Sequence, residues 1–142
     1  MLKVLITVDG SERSLRAIDA VAKWSKATGP VEVLLVNVGE RPSYYGDFPP
    51  YDAESVDARL QTAQDALLES AEKHARAAGL AHVTSEGASG APAAEIVRLA
   101  KERRVDQIAM ATHGRTALGG IFLGSVAQRV VHLVDVPVML VK

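Results

Sequence analysis

The chain has 142 residues, enough for one domain with a real core and too few for two comfortable ones. With 16 basic against 17 acidic side chains, it has no bulk charge to attract nucleic acid or a membrane surface. The lack of cysteine excludes disulfides, thiol catalysis and Cys-ligated zinc.

The start, MLKVLITVDG, lacks a basic leader followed by a long apolar run, and no apolar run approaches the roughly 18 residues of a membrane span. A soluble cytoplasmic protein is the expectation. Leu2 to Val8 reads as a β-strand, stopped by the turn cluster Asp9-Gly10-Ser11, which also offers a helix N-cap. Leu15, Ile18, Val21 and Ala22 recur at helical spacing until Gly29-Pro30. Val31 to Val38 is almost continuously apolar, as a strand buried on both faces should be.

Gly39 to Pro50 breaks the pattern with three prolines and Tyr44, Tyr45 and Phe48, followed by Tyr51. It reads as a surface loop, either a flap over a ligand or a variable connection holding a few packed aromatics. Asp52 to Ala78 is the longest helical pattern, with Ala53, Val56, Leu60, Ala63, Leu67, Ala71 and Ala75 as its stripe and Gly79 as its stop. His74 beside that stripe reads as structural, because no metal-type residue follows at i+4. His82 to Glu86 is a polar edge-strand candidate, and Gly87 to Pro92 a turn leading to a third helix through Ala93, Ile96, Val97 and Ala100. Arg103 and Arg104 suit the end of that helix, as solvated capping rather than a nucleic-acid patch. Val105 to Met110 and Val136 to Val141 are the fourth and fifth strands. The order βαβαβαβαβ, free of hairpin signals, predicts one parallel sheet with helices on both faces.

The stretch from Met110 to Val131 carries the chemistry. It runs from strand, through a loop holding Gly114, Gly119, Gly120 and Gly124, into a helix patterned by Val126, Val130 and Leu133. Glycines let backbone N–H groups approach a phosphate without Cβ interference, and the helix behind adds unpaired N–H groups and a positive dipole end. The plainer alternative is that the glycines serve helix–sheet packing and Ser125 is an N-cap. In open α/β sheets, ligands lie beyond the strand carboxyl ends where the strand order reverses. The first strand would then offer Asp9 to a ribose, a base or a phosphate-bound Mg²⁺, for which one carboxylate suffices. No G-x-G-x-x-G follows the first strand, and Gly119 to Ser125 lacks the lysine of a P-loop.

Val8-Asp9-Gly10-Ser11 after the first strand, Thr112-His113-Gly114, nine residues, Gly124-Ser125-Val126 and the closing Val136 to Val141 together resemble the universal stress protein family, along the whole chain 1–142. The resemblance implies a single α/β domain with an open five-stranded parallel sheet in order 3-2-1-4-5, Rossmann-like and akin to the adenine nucleotide alpha hydrolases. It also implies ATP or another adenine nucleotide, with Mg²⁺, as ligand. The ATP-binding members carry Gly-x2-Gly-x9-Gly followed by Ser or Thr. Gly114, Gly124 and Ser125 match, and Gly124, Ser125, Val126 and Gly114 would contact phosphates or ribose. Thr7, Val8, Asp9 and Val38 would border the base and sugar, with Met110 and Ala111 ending the fourth strand and His113 and Arg115 beside the phosphates. Ala111 stands where the pattern has its first glycine. Its methyl would be strained if φ were positive, and would only narrow the pocket if the strand continues through it.

The fifth strand is short, apolar and at an edge, with Pro137 near its start. A homodimer joined through Val136, Val138, Met139, Leu140 and Val141 would cover it, and the resemblance implies the same. Three functions compete: an ATP-binding regulatory dimer with slow or no hydrolysis; a regulatory dimer that binds protein partners and no nucleotide, which Ala111 favours; and a Mg²⁺-dependent nucleotide hydrolase using Asp9 and His113.

Overall fold

Alternation along the strands decides which helix covers which face, because successive side chains point to opposite sides of a sheet. The computed structural model describes residues 1–40, 53–113 and 123–142. The aromatic loop reading at 41–52, together with Gly114, Arg115, Gly119 and Gly120, lies outside the described residues. The elements run β1 (Leu2–Thr7), α1 (Glu12–Thr28), β2 (Val31–Gly39), α2 (Ala53–Ala77), β3 (His82–Ser89), α3 (Pro92–Glu102), β4 (Gln107–Ala111), α4 (Ser125–Leu133) and β5 (Val138–Val141). All strand pairs are parallel, in the order β3-β2-β1-β4-β5. Val4, Ile6, Val33, Leu35 and Ala109 face α1 and α2. Leu5, Leu34, Val36, Ile108 and Met110 face α3 and α4. The sheet is therefore covered on both sides. Leu5, Ile6, Leu35 and Ile108 are fully buried, and each such side chain stabilises the fold by about 1.5–3 kcal/mol.

The helix ends show why the chain turns where it does. Gly29 and Gly79 take φ of 112° and 105°, a region that costs residues with a Cβ. At Gly79 the Leu80 N–H reaches Ala75 O (3.1 Å) and the Gly79 N–H reaches Arg76 O (3.0 Å), a Schellman closure. The end of α3 repeats it, with Val105 N–H on Ala100 O and Arg104 N–H on Lys101 O, but Arg104 holds the left-handed position at φ 52°. Arg104→Gly should therefore stabilise the protein by about 0.5–1 kcal/mol in urea unfolding. An unchanged midpoint would show that the arginine is not strained there.

Several expectations are corrected. β3 continues through Gly87 to Ser89, where a turn was expected, because Gly87 leaves room for a side chain from α2 described below. Of the α2 stripe, Ala71 and Ala75 are buried and Leu67 is half-buried, with Leu68 buried beside it; Leu60 and Ala63 are exposed and border a crevice instead. Leu133 is 50% exposed. The last strand starts at Val138, two residues after the expected Val136, since Pro137 contributes only its carbonyl, to Ile108 N–H. Ser125 is the first residue of α4 rather than its cap, which is Gly124. The remaining edge, β3, is polar: Arg103 grips Glu86 through Nε (2.8 Å) and Nη2 (2.9 Å) and holds its carboxyl below the usual carboxylate range against the opposing effect of burial. His74 meets Asp19 across α2 and α1 at 2.7 Å, the structural role expected of it.

Candidate functional site

The chain winds outward from β1 to β2 and β3, then returns to place β4 on the other side of β1. The β1/β4 junction is thus the switch point at which open α/β sheets leave a crevice. Three loop systems surround it.

At the end of β1, Asp9 Oδ1 accepts from the Ser11 N–H (2.9 Å) and Ser11 Oγ (2.5 Å). Ser11 in turn caps α1 by accepting from the Ser14 N–H (3.2 Å), and the buried Ser14 Oγ returns to Ser11 O (2.8 Å). The Ser14 N–H of α1 is thus capped from within the turn, and Asp9 spends one oxygen there. Gly10, at φ 84°, lets that turn pass under Leu67.

At the end of β2, pairing with β1 stops at Thr7 opposite Val36, extended by the Val8 N–H on Val36 O (2.8 Å). Val38, two residues on and turned to the same side, therefore lies past the end of β1. Asn37 Nδ2 donates to Val8 O (2.7 Å). Gln64 reaches down from α2, and its Nε2 donates to Asn37 Oδ1 (3.0 Å), Ala88 O (2.9 Å) and Asn37 O (3.2 Å).

At the end of β4, Ala111 pairs with Val141 as strand, and among the described non-glycine residues only Arg104 has positive φ. The strand reading of Ala111 holds, so its methyl carries no backbone penalty. The Thr112 N–H donates to Val141 O (2.9 Å), and Thr112 O accepts from the Gly124 N–H at 2.7 Å, which ties the two ends of the glycine-rich loop together. Gly124 caps α4 with no side-chain hydrogen bond. The first backbone bond into the helix is Gln128 N–H to Gly124 O (2.9 Å), so the first-turn N–H groups of Ser125, Val126 and Ala127 have no partner among the described residues. His113 Nδ1 sits 3.1 Å from Thr112 Oγ1, and its buried Nε2 has no hydrogen-bond partner among the described residues. An unpaired buried nitrogen costs about 1–3 kcal/mol.

Between these loops lies a crevice of about 1060 Å³, at the upper end of the range of small-molecule sites, about 300–1,000 Å³. Thr7, Val8, Asp9, Val38, Met110, Ala111, His113, Gly124, Ser125 and Val126 all line it. The fold thus brings together every expected site residue that lies among the described ones. Val8 and Met110 do so from the core, both nearly buried, and both backbone groups of Val8 are already engaged. Asn37 and Gln64 were not expected. Their one sequence signal is Gly87, since a glycine inside a strand marks close approach of another group. Among the described residues no three His, Asp or Glu side chains form a metal-holding group, and no helix is long and apolar enough to cross a membrane.

A switch-point crevice with an open helix N-terminus opposite a strand-end aspartate narrows the chemistry but not the family. The family model for universal stress proteins matches residues 1–142. A universal stress protein of Thermus aquaticus is 35% identical over 143 residues, covering 98% of this chain and 97% of the relative. The chain belongs to the universal stress protein family. Solved structures of the family share its fold. One is a universal stress protein in complex with cAMP (TM-score 0.68, 23% identity, 99% of this chain and 96% of that one). Another, from Arabidopsis thaliana with AMP bound, has TM-score 0.72 and 21% identity, covering 100% and 92%. Within this family frame, the Gly-x9-Gly-Ser part of the glycine pattern ends at Gly124-Ser125, the open N-terminus of α4.

Proposed function

We propose that this universal stress protein is a regulatory module that binds an adenine nucleotide, ATP or a relative of it, in the β1/β4 crevice, as a homodimer in the cytoplasm and with slow or no hydrolysis. The observation that carries the reading is the N-terminus of α4, with three N–H donors unpartnered among the described residues and a positive dipole end facing a nucleotide-sized crevice, while at the neighbouring α1 the Ser11 side chain takes the Ser14 N–H. The phosphates lie there, near Gly114, Gly124, Ser125 and Val126, with His113 Nε2 and Arg115 as donors toward them. The ribose lies toward Asp9, and the base toward Thr7 and Val38. Mg²⁺ carried by the phosphates has Asp9 as its nearby carboxylate at the β1 end, since few protein ligands are needed. The AMP and cAMP held by the two structural neighbours support an adenine nucleotide. Slow turnover follows from the absence of a P-loop lysine, because phosphoryl transfer depends on arranged positive charge.

The dimer reading rests on β5, which bonds β4 on one side and pairs with no strand of the described residues on the other, with Leu140 39% exposed. Calorimetric titration of nucleotide-stripped protein with ATP, ADP, AMP and cAMP, with and without Mg²⁺, tests the ligand. The expected result is a dissociation constant of about 1–100 μM for at least one of them. Absence of binding by well-folded protein would overturn the reading in favour of a dimer that acts through protein partners alone.

A further inference from the structure

We infer that Gln64, acting through Asn37, is a positioning residue for the base end of the bound nucleotide. This rests on the nucleotide reading above and adds to it a residue of α2 that the glycine pattern does not contain. The carbonyls of Asn37 and Ala88 lie in the last rungs of the β2/β3 ladder, and that of Val8 stands just past the end of β1. A carbonyl oxygen has two lone pairs, so each can take a further donor at the crevice floor. Gln64 Nε2 donates one hydrogen to Ala88 O and shares the other between Asn37 Oδ1 and, more distantly, Asn37 O; by holding Asn37 Oδ1 it aims Asn37 Nδ2 at Val8 O. Two amides thus fix three strand ends at one spacing. Val38, the residue past the end of β1, follows Asn37 directly in the chain, so its backbone groups inherit whatever orientation the clamp imposes.

The sequence makes room for this clamp. A Cβ on Gly87 would lie 2.3 Å from Gln64 Oε1, and one on Gly39 would lie 3.4 Å from Nε2. The amide is seated in a slot that Gly87 leaves open, while a Cβ on Gly39 would only touch it. Nor is Gln64 carried along by apolar packing. Residues 57–63 of α2 are all exposed, and beyond them apolar burial resumes at Leu67 and Leu68. In this stretch the helix meets the sheet first through Gln64, a polar contact at the crevice. The phosphate end, at α4, shares none of these bonds.

That separation gives the clamp a signature that general weakening of the fold does not have. In Gln64→Leu, AMP should bind about tenfold more weakly, the cost of about one lost positioning hydrogen bond, while ribose 5-phosphate, which lacks the base, should bind as to wild type. Gly87→Ala keeps Gln64 but fills its slot, and should produce the same selective loss. The double variant should be no worse than either single one, because both remove one interaction. Calorimetry with both ligands on all four proteins reads this out. Equal losses for AMP and ribose 5-phosphate, or AMP affinity unchanged in both variants while wild type binds it, would overturn the positioning role alone. Wild type that binds no nucleotide would overturn the nucleotide reading and this assignment with it.

Discussion

Gly124→Val should weaken adenine-nucleotide binding about a hundredfold or more, the cost of about 2.7 kcal/mol of charge-assisted hydrogen bonding, and leave the fold intact. At φ −60° and ψ 154° Gly124 occupies ordinary extended backbone that valine adopts readily. Its N–H stays on Thr112 O, so the closure of the glycine-rich loop survives. What changes is the space in front of the Ser125, Val126 and Ala127 N–H groups, where a branched side chain replaces hydrogen and stands in the way of phosphate. Calorimetric affinity and thermal midpoint, measured on the same preparation, separate the two effects. Unchanged affinity would mean that the phosphates are held elsewhere. A collapse of the midpoint would mean that Gly124 serves packing, the plainer reading of the loop.

Leu140→Glu should convert a dimer into a monomer. Val138 and Leu140 share the face of β5 that carries the α3/α4 core, while Met139 and Val141 pack toward α1 and α2. Leu140 is left 39% exposed, and Val131 and Leu133 of α4 are exposed at 45% and 50%. An apolar edge with open backbone groups invites the same edge of a second copy in a two-fold arrangement. Each substitution then acts twice, placing two unpaired carboxylates in one interface, and the dimer dissociation constant should rise about a thousandfold or more. Sedimentation equilibrium should give twice the 15.1 kDa chain mass for wild type and the single chain mass for the variant. A monomeric wild type would remove the dimer from the account and leave the nucleotide site untouched.

What the sequence disclosed follows from the range of the interactions involved. β2 was legible because Val31 to Val38 is apolar at nearly every position, and such a run is stable only when covered on both faces. The stops at Gly29 and Gly79 were legible because a left-handed cap is a local requirement. Ala111 was legible as strand because it continues the run from Ile108. The clamp was not, since Gln64 lies 27 residues from Asn37 and 24 from Ala88 in the chain, and a glutamine within a helix has no local reason to point anywhere. The same long-range contact explains why β3 runs past Glu86. The first half of α2 misled for a related reason: its apolar positions are regular, but the sheet they would cover has ended, so Leu60 and Ala63 border the crevice instead. Arg104 carries no sequence mark of its left-handed geometry, because the two backbone bonds that close the helix would form around any residue there.

The proposed adenine nucleotide spans the β1/β4 switch point with its phosphates on α4. Backbone amide resonances of isotope-labelled protein, followed through a titration with AMP, test this placement most directly. The amides of Asp9, Val38, Thr112, Ser125 and Val126 should move together with one dissociation constant, and those of the β3 edge around Glu86 should stay still. Movement confined to the hollow lined by Glu40, Ser89, Gly90 and Ala91 at the start of α3, or no movement at saturating AMP, would contradict it.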